Sequence, residues 1–119
     1  MARTMTVRGY LDRVRCPTLL VTGEFDPLCP LEDAIEAYDD LRVPKEMWVL
    51  ENQFHPLWKL PNLGALDCHE YVLDWLSMAL APAGLPPSHR RIAYLRQHGD
   101  GPWGDCEWTP PVRAGQRYF

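Results

Sequence analysis

Two residues in this chain have the types and the surroundings that proton-transfer chemistry needs. Asp26 stands in "VTGEFDPLCP", just past a glycine turn, and His55 stands in "ENQFHPLW", just past Glu51. An aspartate beside an imidazole holds the ring in one tautomer and stabilises the imidazolium that forms when the histidine takes a proton. Taken singly, Asp26 reads better as a turn or capping aspartate and His55 as an ordinary loop histidine. Their order and matching contexts favour the pair. Chemistry of this kind calls for no cofactor and no metal, and the sequence predicts neither.

The pair needs elements that bring it together. Thr18 to Thr22 is short and apolar, is entered through Cys16-Pro17 and closed by Gly23, and predicts a buried strand. From Pro30 the period changes: Leu31, Ala34, Ile35, Tyr38 and Leu41 form one helical stripe, with Glu32 and Asp33 in the first turn, where the helix dipole favours acids. Glu46 to Glu51 predicts a second strand. Strand, helix and strand at this spacing make a βαβ unit with parallel pairing through a right-handed crossover. Loops after parallel strands converge at their carboxyl ends, so Asp26 and His55 are expected on one edge. Beyond a loop carrying Pro56 and Pro61, Leu66 to Leu80 predicts a second helix. Leu66, Leu73, Leu76 and Leu80 form its stripe, with Val72, Trp75 and Ala79 beside it.

Other candidates read more plainly. Cys29 sits at a helix start rather than on a nucleophile turn, and is expected to pack. Asp67, Cys68 and His69 are neighbours on a helix and point in different directions, which opposes a shared metal. Glu24, next but one to Asp26, is expected to be solvated. No G-x-S-x-G occurs, and the serines are Ser77, within the second helix, and Ser88.

The quoted segments resemble the C-terminal portion of the α/β-hydrolase superfamily, from about Val14 to Leu80, with esterases, acyl-peptidases and pseudooxynicotine-hydrolase-like enzymes nearest in flavour. "CPTLLVTGEFDPLCP" is similar to the turn that carries the triad acid, and "ENQFHPLW" to the histidine loop. The resemblance implies Asp26 as acid and His55 as base, with Gly23 and Pro30 as structural positions of the turn. Phe54 stands where the family often has a small residue. The implied fold class is α/β, the C-terminal βαβα part of a hydrolase fold with parallel strands. The implied function is a hydrolase segment acting on an ester, an amide or a C–C bond beside a carbonyl, with the serine supplied elsewhere. The alternative is a non-catalytic hydrolase remnant that binds a partner. Enzyme activity of the chain by itself stays open, because the nucleophile is missing.

Composition sets the outer bounds. The chain has 119 residues, 46% of them hydrophobic and 24% charged, as in a folded globular domain. Three segments are expected: 1–15 as a lead-in compatible with the end of a preceding helix, 16–82 as the α/β segment, and 83–119 as an irregular tail rich in Pro, Gly and aromatic residues. The net charge is −4, and the basic residues form no RNA- or DNA-binding motif, so no nucleic-acid partner is expected. The chain has no apolar run of membrane-spanning length and no signal-type N-terminal core, and its four cysteines lack C-x-x-C spacing. The expectation is a cytoplasmic protein with free thiols and no membrane partner. Two parallel strands would leave an edge and a face uncovered, which predicts self-association or a partner polypeptide, besides a small-molecule carbonyl substrate if a serine-bearing half completes the site.

Overall fold

The computed structural model describes residues 9–54 and 67–111. Within them run β1 (Thr18–Gly23), α1 (Leu31–Asp40), β2 (Lys45–Leu50), α2 (Cys68–Leu80) and β3 (Arg90–Leu95), preceded by a 3-10 turn at Leu11–Arg13. The strands pair in chain order and both pairings are parallel, with Val21 opposite Trp48 and Trp48 opposite Ala93. The α/β class and the parallel βαβ unit are as expected from the sequence.

All residues of β2 are buried, as befits the central strand of a parallel sheet covered on both faces. The two-residue period divides its side chains. Met47 and Val49 meet Leu31, Ala34, Ile35 and Tyr38 of α1, while Trp48 and Leu50 meet Cys68, Tyr71 and Trp75 of α2. The larger aliphatic side chains among them, Leu31, Ile35, Met47, Val49 and Leu50, each contribute about 1.5–3 kcal/mol relative to exposure. Helix α1 has no basic residue in its last turn, and Lys45 supplies the missing cation from β2. Its buried ammonium donates to the carbonyls of Tyr38 and Leu41 at the helix end, the first of which also accepts from the Leu41 amide.

The sheet advances in one direction while α1 and α2 cover opposite faces, so the two crossovers have opposite hands. The right-handed rule expected of such units therefore holds for only one of them.

Two expectations are corrected here. The segment from 83 onward is not irregular throughout, because Arg90–Leu95 forms β3. Its alternation of Ile92 and Tyr94 with Ala93 and Leu95 is a strand pattern, hidden between flanking prolines and glycines. Beyond it the chain folds back: the Tyr94 and Trp108 amides donate to the Cys106 and Ile92 carbonyls, which covers the outer edge of β3. The tail aromatics Trp103 and Trp108 pack on this chain's own Trp48 and Tyr94; Tyr118 and Phe119 lie outside the described residues. The second correction concerns α2. Its buried stripe is Cys68, Tyr71 and Trp75, whereas Leu73, Leu76 and Leu80 face outward. Asp67 starts the helix with a reciprocal capping box to Glu70, and that start sets the phase. Leu66 lies outside the described residues.

Candidate functional site

The loops leaving β1 and β2 are tied to each other at the carboxyl edge of the sheet. The Glu24 amide donates to the Leu50 carbonyl and the Phe25 amide to the Gln53 carbonyl, both at 3.0 Å. Gly23 is required by this approach, since a Cβ there would collide with the backbone of Gln53 and Phe54. The next residues turn sharply. The Asp26 amide donates to the Gly23 carbonyl, and Asp26 Oδ1 accepts from the Leu28 amide at 2.8 Å and the Cys29 amide at 3.2 Å. Asp26 is only 4% exposed. The carboxylate is thus oriented by the backbone of its own turn, with Pro30 leading directly into α1. His55 lies outside the described residues, which end on this side at Phe54, one position before it.

Glu24 is not the solvated residue expected from its position beside Asp26. It is 7% exposed, and its Oε1 accepts from the Tyr94 hydroxyl at 2.7 Å and the Asn52 amide at 3.2 Å. Asn52 has a φ of 56°, a left-handed conformation that non-glycine residues seldom adopt. One carboxylate therefore joins the turn after β1, the turn after β2, and β3. A sequence signal existed: Glu24 continues the alternation of Leu20 and Thr22 and so shares their face.

The remaining candidates separate cleanly. Cys29 is exposed rather than packed, which corrects the expectation of a packing cysteine. Partial burial, with Asp26 and Asp33 nearby, pushes its thiol above the ordinary range and disfavours the nucleophilic thiolate. Cys68 is buried and His69 exposed, so the two do diverge. Ser77 Oγ donates to the Leu73 carbonyl within α2, and Ser88 sits in the exposed turn before β3, away from the Asp26 edge. Among the described residues, no group of three or more His, Cys, Asp or Glu side chains could hold a metal ion.

The most elaborate polar cluster was not foreseen from the sequence. Glu46, 2% exposed near the amino end of β2, accepts from both indoles of Trp48 and Trp75. It is also joined to His89 Nε2 at 2.8 Å and Arg91 Nη1 at 3.0 Å. Arg91 also reaches Cys106 Sγ at 3.4 Å. The cluster lies at the end of the sheet opposite Asp26.

Comparison with known proteins changes the functional frame. No family model and no solved structure matches the chain. A polyketide transferase of Gibberella fujikuroi is 40% identical over 58 residues, covering 48% of this chain and 18% of that protein. The polyketide transferase grgF of a Penicillium species is 29% identical over 65 residues, covering 55% of this chain and 21% of that protein. The chain thus spans about a fifth of the length of the curated relatives it matches. These findings correct the α/β-hydrolase resemblance and the functions drawn from it: hydrolase segment, esterase, peptidase and hydrolase remnant. The matched proteins carry transferase names, and no hydrolase model supports the assignment. The physical reason is that an acid turn and a histidine loop at the edge of a parallel sheet suit many reactions and identify none. Among the described residues, no helix is long and apolar enough to cross a membrane.

Proposed function

We propose that this chain contributes a carboxylate–imidazole pair, Asp26 and His55, to the transfer of a polyketide acyl group onto an acceptor. The observation that carries the reading is the backbone tie between the two loops. The Phe25–Gln53 hydrogen bond and the close approach at Gly23 hold the turn bearing Asp26 against the residues that lead into His55. The substrate class is taken from the names of the two matched transferases.

In this reaction His55 takes the proton of the acceptor, a hydroxyl or an amine, as the acceptor's bond to the acyl carbon forms. The bond from that carbon to the donor's sulfur or oxygen breaks, and His55 returns the proton to the leaving atom. Asp26, already oriented by the Leu28 and Cys29 amides, keeps the ring in the required tautomer and balances the imidazolium.

The test supplies a β-ketoacyl thioester and an alcohol acceptor and reads the transfer product by mass spectrometry. His55→Ala is expected to lower kcat by about 10²–10⁴-fold, with Asp26→Asn losing roughly as much. No transfer by the wild-type protein, or undiminished transfer by His55→Ala, overturns the reading.

A further inference from the structure

We infer that this chain dimerises through β1: two copies pair their β1 edges antiparallel about a twofold axis and form one continuous sheet. The inference does not depend on the acyl-transfer reading.

The sheet runs β1-β2-β3, so β1 and β3 lie at its edges. The outer edge of β3 is closed by the returning chain, through the Tyr94 and Trp108 amides. β1 has no such cover among the described residues. Its even-numbered residues turn their backbone groups toward β2, since the Thr18 and Glu24 amides donate to the Pro44 and Leu50 carbonyls. By the two-residue period, Leu19 and Val21 turn their amides and carbonyls outward. Native sheets usually blunt such an edge with a charge, a proline or a bulge. The six residues Thr18–Gly23 contain no charged residue and no proline.

What fits this edge is a second copy of it. Pro17, just before β1, has no amide to offer, and the Gly23 carbonyl already accepts from the Asp26 amide. The free template is therefore the two amides and two carbonyls of Leu19 and Val21. An antiparallel copy centred on Leu20 sets Leu19 opposite Val21 of the second copy and satisfies all of them. A centre at Leu19 would set Val21 opposite Pro17 and leave its carbonyl without a donor. A centre at Val21 would send the Leu19 amide to the carbonyl that Asp26 already uses. Charge agrees with the antiparallel sense: the exposed Arg13 and Arg15 precede β1 while Glu24 and Asp26 follow it, so unlike charges approach each other. Each copy has one open edge, so the assembly closes at two and does not grow into a fibre.

Helix α2 extends the surface. Its Tyr71 flank faces the loop after β3, where a Cβ on Gly101 would collide with the Tyr71 ring. Val72 is on the opposite flank, toward β1, and packs half-buried on the same cluster as Leu19 and Val21. Further round that flank Leu73, Leu76 and Leu80 are exposed, which supplies apolar area for a twofold contact between the two α2 helices.

The experiment is sedimentation equilibrium of the full chain from micromolar to submillimolar concentration, with amide hydrogen exchange on the same samples. The expected species has twice the 13.7 kDa mass of one chain, and exchange at Leu19 and Val21 slows as it forms. Val21→Pro removes one outward amide from each copy, at an edge position that tolerates proline, and is expected to raise the dimer dissociation constant about 10–100-fold. Leu76→Asp alters only an exposed side chain, so it serves where the proline variant fails to fold, and is expected to raise that constant about tenfold. In a Cys16→Ser, Cys29→Ser background, Leu20→Cys sets two thiols opposite each other across the axis and is expected to cross-link with oxidised glutathione, whereas Leu19→Cys is not. A chain that stays monomeric throughout, with fast exchange at Leu19 and Val21, overturns the dimer and leaves the edge to a strand of another polypeptide. A dimer that folded Val21→Pro does not weaken, or that cross-links through Leu19→Cys and not through Leu20→Cys, overturns the β1 interface.

Discussion

Glu24 lies just past the carboxyl end of β1 and Glu46 near the amino end of β2, and each is less than a tenth exposed. Their partners differ in kind. The donors described around Glu24 are a phenol and a backbone amide, both on neighbouring loop or strand ends. Around Glu46 stand two indoles, an imidazole and a guanidinium, drawn from β2, α2, β3 and the residue before β3. A buried carboxylate must be satisfied in either case, or it costs several kcal/mol. The difference lies in what the satisfaction holds in place. Glu46 joins β2 to α2 and to β3, whereas Glu24 joins the turn after β2 to β3.

The largest expected effect is at Glu46. Glu46→Ala leaves His89 without its carboxylate partner, Arg91 with only the exposed Glu107 at 3.7 Å, and two indole N–H groups without their acceptor. Loss of one partner from a buried ionic cluster costs about 3–5 kcal/mol, a large share of the stability of a domain this size. Urea unfolding of Glu46→Ala against wild type measures it. A loss below about 1 kcal/mol would dissolve the contrast between the two ends, since Glu46 would then be no more of a lock than Glu24.

How far the sequence shows this depends on the range of the interaction. β1, α1 and β2 are legible because local rules act together there: a glycine-closed apolar run, a single helical stripe behind Pro30, and an apolar run long enough for one strand. α2 is legible as a helix but not in phase. Leucine content points to Leu73 and Leu76, while the buried face follows Tyr71 and Trp75, whose indole is needed by Glu46. β3 is hidden because its six residues lie between proline-rich and glycine-rich stretches. At the candidate site, Asp26 falls at the strand edge that its order implied, and His55 lies outside the described residues. Glu24 was misread because its partner Tyr94 belongs to the unrecognised strand; a contact across 70 positions leaves no local trace.

A second test concerns the α2 face that Glu46 locks. Cys68 is 4% exposed, and burial, aided by Asp67, pushes its thiol from 9.0 up to about 11. Between these values the unfolded chain has released a proton that the folded chain retains. Stability is therefore unaffected below about pH 9 and falls as pH rises toward 11, by about 2–3 kcal/mol for this group. Cys68→Ala removes that slope whatever its effect at neutral pH. Between pH 8 and pH 11 the stability difference between the two proteins should stay constant up to about pH 9 and then shift in favour of Cys68→Ala by that amount. Parallel curves throughout would show that the α2 face is open enough for the thiol to ionise freely.

The smallest effect is the sharpest comparison, because it keeps the chemistry and changes only the place. Arg91 with Glu46 and Arg96 with Glu51 are both arginine–glutamate pairs between the β3 segment and the β2 segment. The first is at 3.0 Å with side chains 15% and 2% exposed; the second is at 3.6 Å with side chains 71% and 24% exposed. Water screens the second pair, and holding two long side chains together costs entropy that the weak attraction barely offsets. Arg96→Ala is expected to change stability by about 0–1 kcal/mol, less at high salt, even counting its position over the Tyr94 ring. The Tyr94–Glu24 hydrogen bond should be little affected, since Tyr94 keeps its packing on Trp108. Unfolding at low and high salt decides the matter. If Arg96→Ala costs as much as Glu46→Ala, burial is not what separates the two ends, and the carboxyl edge is held by charge as firmly as the amino end.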